Sequence, residues 1–220
     1  MSRKRTRSSK NSAANLILIQ DEKGKERFDS IFENQPMMPK KGFKFESNDK
    51  MVMPLSIRNK IDALNWNQFC DTRSMPEEEL VLEFYTNLTT PDANEVIVRK
   101  KKVPLTSKPI SDLFNLPNVE EDEYSAMMKN INWDFLQQVL NVVSNPGSQW
   151  IIRNYGSHSY RREYLNPFTK VWFYFIRYSF IPISHSSTIS IERMLLLCAI
   201  MKKRSTNVGR IILKEIQDYA

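Results

Sequence analysis

Apolar residues recur at helical spacing through most of this chain, and the intervals between those runs carry the signals that end helices. Phe28, Ile31 and Phe32 stand at i, i+3, i+4 within 24–35, a first short helix closed by Pro36 and Pro39. Leu55, Ile57, Ile61 and Leu64 predict a second helix, with Trp66, Phe69 and Cys70 packing inward just after it. Met75-Pro76-Glu77-Glu78-Glu79 reads as a helix entry, because proline tolerates the first turn and acids there complement the helix dipole. Leu80, Val81, Phe84, Tyr85 and Leu88 then form one stripe. Ile110, Leu113 and Phe114 mark a short helix ended at Leu116-Pro117, and Trp133, Leu136, Val139, Leu140 and Val143 mark a longer one ended by Asn145-Pro146-Gly147. The period changes clearly once, and Gln149 to Arg153 reads as a second, short extended piece. Residues 95–105, EVIVRKKKVPL, read as a β-hairpin with a basic tip, Arg99 to Lys102, and with Pro104 holding the second strand to an edge.

The densest apolar region is Asn166 to Ile212. Asn166-Pro167 opens a helix that is apolar from Val171 to Ile181 except at Arg177 and Ser179, so it is expected at the centre of the core. After Pro182 and a serine-rich link comes a helix over 189–203, with Ile191, Met194, Leu195, Cys198 and Met201 on its buried stripe and Lys202, Lys203 and Arg204 in its last turn. Asn207 caps a final helix carrying Val208, Ile211, Ile212, Ile216 and Tyr219. The expected architecture is mainly α: an irregular helical domain of about seven to nine helices with one small β-hairpin at about 95–105. It occupies 24–220 as a single domain behind a disordered basic tail, 1–23.

Charge changes the picture at one end. The net charge is +7, of which Arg3, Lys4, Arg5, Arg7 and Lys10, unaccompanied by any acid, supply +5. The high isoelectric point therefore belongs mostly to a tail too polar to build a core. Such a cluster serves as a nuclear import signal, as an arm on phosphates, or simply as a solvated tail. It can neutralise about five phosphates, a salt-sensitive and sequence-blind contact. Two cysteines, Cys70 and Cys198, give no disulfide framework and point to a reducing compartment. No apolar run has the length of a membrane span or a secretory leader.

Candidate chemistry is sparse. His158 and His185 lie in serine-rich polar links outside any nucleophile motif, and the two cysteines have no partners at zinc-finger spacing. The five glycines do not cluster into a phosphate loop. Asp71, Asp112, Asp122 and Asp134 fall in loops or at helix starts, where capping explains them better than a metal pair, and Glu77 to Glu79 are first-turn acids. No catalytic residue, metal ligand or cofactor is expected. The candidate nucleic-acid contacts are the tail residues Arg3, Lys4, Arg5, Arg7 and Lys10 together with Arg99, Lys100, Lys101 and Lys102 at the hairpin.

Several phrases resemble a known family. FYTNL (84–88), VPLTSKPISDLFNLP (103–117), PGSQW (146–150), KVWFYFIRYSFIPISHSSTISIERMLLLCAI (170–200) and NVGRII (207–212) are similar to the family called Putative plant transposon protein domain, from about Phe28 to Ala220. The resemblance implies a mobile-element origin and carries no catalytic residue across. Further helices follow in that family, so it also implies that this chain stops short of the usual end. The expected function is a non-catalytic nuclear module that contacts DNA or RNA, or other element-encoded or host proteins, with no membrane and no small-molecule substrate. The alternatives are a fragment of a metal-dependent transposase or nuclease, a degenerate element remnant without activity, and a cytoplasmic location.

Overall fold

A computed structural model describes residues 17–33, 54–71, 76–152, 158–179, 181 and 187–220. Among them are ten α-helices and two small antiparallel sheets, so the chain is mainly α. By contacts it divides into two compact units. The first takes Met1–Pro39, Ser74–Thr106 and Leu213–Ala220; the second takes Lys40–Arg73 and Ser107–Ile212.

In the first unit, helix α1 (Glu22–Arg27) starts where the Asp21 carboxylate accepts the Gly24 N–H at 2.7 Å, and it continues into a π-helical turn, Phe28–Phe32. This helix begins two residues before the boundary expected from the sequence, and Ile17 ahead of it is already buried. Helix α4 (Glu78–Asn87) packs on strand β1 (Glu95–Val98), which pairs with β2 (Lys101–Pro104) in register from Glu95 opposite Pro104 to Val98 opposite Lys101. Leu88, Val96 and Leu105 form the small core, with Phe84, Tyr85, Leu213 and Ile216 packed on it. Tyr85 meets the ring of Tyr219 edge-on at 5.9 Å, and burial, with Tyr219 nearby, pushes the Tyr85 hydroxyl pKa up. Asn87 ties the unit together: its side-chain amide donates to the carbonyls of Leu18 and Ile97, both at 2.9 Å.

The second unit is built around a helix other than the one the sequence suggests. Helix α8 (Pro167–Ser179) buries Thr169, Trp172, Phe173, Phe175 and Ile176 but turns Phe168, Val171 and Tyr174 to solvent. The helix buried on every side is α9 (Ile191–Lys202), where Met194 through Ile200 are all buried. It touches α2 (Leu55–Leu64), α6 (Glu123–Lys129), α7 (Trp133–Val143), α8 and two strands of the second sheet. The apolar run of α8 misleads because Val171 and Tyr174 count as apolar although they sit on its outer side. That second sheet, which periodicity alone does not reveal, comprises β3 (Ile151–Ile152), β4 (His158–Arg161) and β5 (Thr188–Ser190) in that order. Strand β5 runs directly into α9 and anchors its start.

Aromatic residues fill the space between α2, α3 (Asn67–Cys70), α5 (Ser107–Leu113) and α8. Trp66 meets Trp172 edge-on at 6.4 Å, Phe69 meets Phe175 at 5.7 Å, and Phe69 meets Phe114 at 5.3 Å. Three expected core positions of this unit are exposed instead: Leu55 opens α2, Leu113 closes α5 and Trp133 opens α7, each at a helix end. Helix α10 (Val208–Gln217) closes the chain.

Candidate functional site

The hairpin turn is two residues long, not four. Arg99 (φ 49°) and Lys100 (φ 63°) both adopt the left-handed conformation, as a tight turn between right-twisted strands requires. Neither is glycine or asparagine, and each left-handed non-glycine residue costs about 1–2 kcal/mol. The compensation comes from α4. Glu83, wholly buried at the middle of that helix, accepts the Arg99 backbone N–H on Oε1 at 2.6 Å and sets Oε2 3.3 Å from the Arg99 Nε. One carboxylate thus holds both the backbone and the guanidinium of the first turn residue. Lys101 and Lys102 belong to β2, and Lys102 reaches back across the ladder to Glu95 at 2.6 Å.

The four-cation run therefore splits. Arg99 and Lys102 are engaged with acids of their own unit, whereas Lys100 and Lys101 are exposed and form no ion pair among the described residues. The remaining expected contacts, Arg3, Lys4, Arg5, Arg7 and Lys10, lie outside the described residues, as does His185. His158 opens β4, its ring 5.7 Å from that of Trp133. Among the described residues no group of three or more His, Cys, Asp and Glu side chains comes together. Asp122 caps α6, Asp112 pairs with Lys108 at 2.9 Å, and Asp134 lies in the first turn of α7.

The phrase NVGR has a structural account. The Asn207 carboxamide oxygen accepts the Arg210 N–H at 2.9 Å, capping α10, while its nitrogen donates to the Val119 carbonyl at 2.6 Å. Gly209 faces α5 so closely that a Cβ there would overlap the Ser107 carbonyl oxygen and the Ser111 hydroxyl. Arg210 donates to the Glu120 carbonyl at 2.8 Å and lies 3.8 Å from the buried Asp122 carboxylate. Beside it, Glu123 binds the Arg204 guanidinium and accepts the Ser205 N–H at 2.9 Å, and these two contacts hold its carboxyl below the usual range. The segment 204–210 is a clamp that fastens the α9–α10 connection to the start of α6.

A cleft of about 320 Å³ opens beside this clamp, lined by Met127, Phe135, Cys198 and Lys202 among others. Burial pushes the Cys198 thiol up, with Lys202 and Arg204 opposing the shift, so the sulfur is a packing group and not a thiolate.

Glu83 was the position sequence reasoning missed. At helical spacing it falls outside the stripe of Leu80, Val81, Phe84, Tyr85 and Leu88, so the only sequence signal is an acid on that helix sixteen residues before a run of cations.

The family described as Putative plant retrotransposon-related domain matches residues 62–220 of the chain. No curated protein and no solved structure matches it.

Proposed function

This chain belongs to the Putative plant retrotransposon-related domain family, and from that premise we propose that it acts as a non-catalytic nucleic-acid-binding module in the nucleus. The observation that carries the reading is the hairpin tip. Glu83 holds Arg99 in a left-handed turn, and Lys100 and Lys101 are exposed beside it with no ion pair among the described residues. Ammonium groups placed this way contact phosphates without reading bases. The tail residues Arg3 to Lys10 add a second, sequence-blind cationic segment. Together they favour a polyanion bound through its backbone, with affinity that falls steeply as salt rises.

Fluorescence anisotropy with a labelled oligonucleotide tests this, using the full chain and a chain lacking residues 1–14. Both should bind, the shorter one more weakly. Binding that disappears entirely with the tail would assign recognition to the tail and refute a role for the folded part.

A further inference from the structure

The outer face of α8 joins aromatic rings and cations in a way the core does not need. Around a helix, Lys170, Val171, Tyr174, Arg177 and Tyr178 fall at i, i+1, i+4, i+7 and i+8, which is one face. The opposite arc holds the buried Trp172, Phe173, Phe175 and Ile176. Tyr174 sits at the middle of the outward arc and is 45% exposed. The Arg177 guanidinium lies over the Tyr178 ring, 5.3 Å from its centre. No acid occurs in the sequence from Tyr164 to Ile191, so the charged residues that α8 itself contributes, Lys170 and Arg177, are both cations. Such a face would more cheaply be built from ordinary polar residues if solubility were its only task.

We infer that the outward face of α8 is a stacking surface for single-stranded nucleic acid, with Tyr174 receiving a base and Lys170 and Arg177 contacting the flanking phosphates. This rests on the nucleic-acid reading above and narrows it to a substrate class. Charge complementarity selects a polyanion, and an exposed ring favours unpaired bases because bases within a duplex are already stacked on each other. A site of this kind is tolerant of sequence, since every base has a π-face.

The test uses the full chain with a fluorescein-labelled oligothymidylate of about 16 nucleotides and a duplex of the same length. Wild type should prefer the single strand. Tyr174→Ala should weaken that binding about 5- to 100-fold, while Tyr174→Phe retains it. Lys170→Ala should lower the slope of log K against log salt by about 0.7. Thermal melts should match wild type for all three, since none of these side chains is in the core. Unchanged oligothymidylate affinity in Tyr174→Ala would overturn the inference, as would equal affinity for the duplex. So would a Tyr174-dependent interaction with anionic vesicles or an acidic peptide in place of the oligonucleotide. If binding persists in Tyr174→Ala and is lost only when Lys100 and Lys101 are replaced, this inference falls and the module reading stands. If wild type binds no nucleic acid, both fall.

Discussion

Glu83 and Arg99 are joined twice, through a 2.6 Å hydrogen bond from the Arg99 backbone nitrogen and a 3.3 Å approach of its Nε to the other carboxylate oxygen. The acid is fully buried at the centre of α4, so the pair fixes the direction of the hairpin from inside the unit. It also makes the two turn residues unequal. Lys100 has the same left-handed backbone and no comparable anchor. Lys100→Gly should therefore stabilise the protein by about 1 kcal/mol, by removing the cost of a Cβ at positive φ. Arg99→Gly relieves the same strain but leaves a buried carboxylate without its guanidinium, and should be destabilising by about 1–3 kcal/mol. Urea denaturation of the two variants separates these signs; two shifts in the same direction would contradict the account.

Gly209 allows α10 to approach α5, and a methyl group there would overlap the Ser107 carbonyl and the Ser111 hydroxyl. Helix propensity alone makes Gly→Ala favourable by about 1 kcal/mol. The overlap reverses that, so Gly209→Ala should lower stability by about 1–3 kcal/mol. Gly24→Ala should be milder, because its nearest neighbours would lie at 3.1–3.3 Å. The comparison of the two melting midpoints checks the close approach.

Glu123 sets part of the response to acid. Its folded-state pKa is depressed, chiefly by the Arg204 guanidinium and then by the Ser205 N–H, below the ordinary value of 4.5. A depressed carboxyl contributes stability that is fully present above its unfolded-state pKa and is lost as pH falls through the folded-state pKa. Urea midpoints measured from pH 6 downward should fall below about pH 4.5, and the fall should be shallower in Glu123→Gln. Parallel curves for variant and wild type would show that the clamp does not depend on this charge.

Burial on all sides of α9 predicts that substitutions on opposite flanks are equally harmful. Leu195 and Leu197 point about 200° apart around the helix, yet both are fully buried. Each Leu→Ala change should cost about 2–5 kcal/mol, and Trp172→Ala on the inner face of α8 about 3–5 kcal/mol. Val171→Ala, on the outer face of α8, should cost well under 1 kcal/mol. Chemical denaturation of these four variants ranks the helices, and a tolerant Leu197 would mean that α9 is not enclosed.

How much of this was legible in the sequence follows from what periodicity can report. It located most of the helices, the hairpin and the cap at Asn207, because those depend on neighbours within a turn or two, but it marked no helix at α6, which Asp122 caps. It misjudged Ile31, Leu55, Leu113 and Trp133, which are exposed, since helical spacing reports which residues share a face and not how far a neighbouring element covers it. It placed α8 and not α9 at the centre for a related reason: tyrosine and valine score as core residues whether or not a neighbouring element covers them. Of the β3–β4–β5 sheet only the extended piece at Gln149 to Arg153 was legible, because the strands are two to four residues long and β5 comes from a segment far beyond β4. The hairpin at 95–105 was legible, but of the basic run 99–102 only Arg99 and Lys100 form its turn. Which of its cations stay available depended on Glu83 and Glu95, and only the folded arrangement supplies those partners.

The salt dependence of binding tests the proposed function most directly. Plots of log K against log salt, for wild type and for Lys100→Ala/Lys101→Ala, count the phosphates each protein neutralises. Loss of two duplex phosphate contacts should reduce the slope by about 1.8, with the melting curve at or above that of wild type. Identical slopes in the two proteins would contradict the account, because the hairpin lysines would then touch no phosphate.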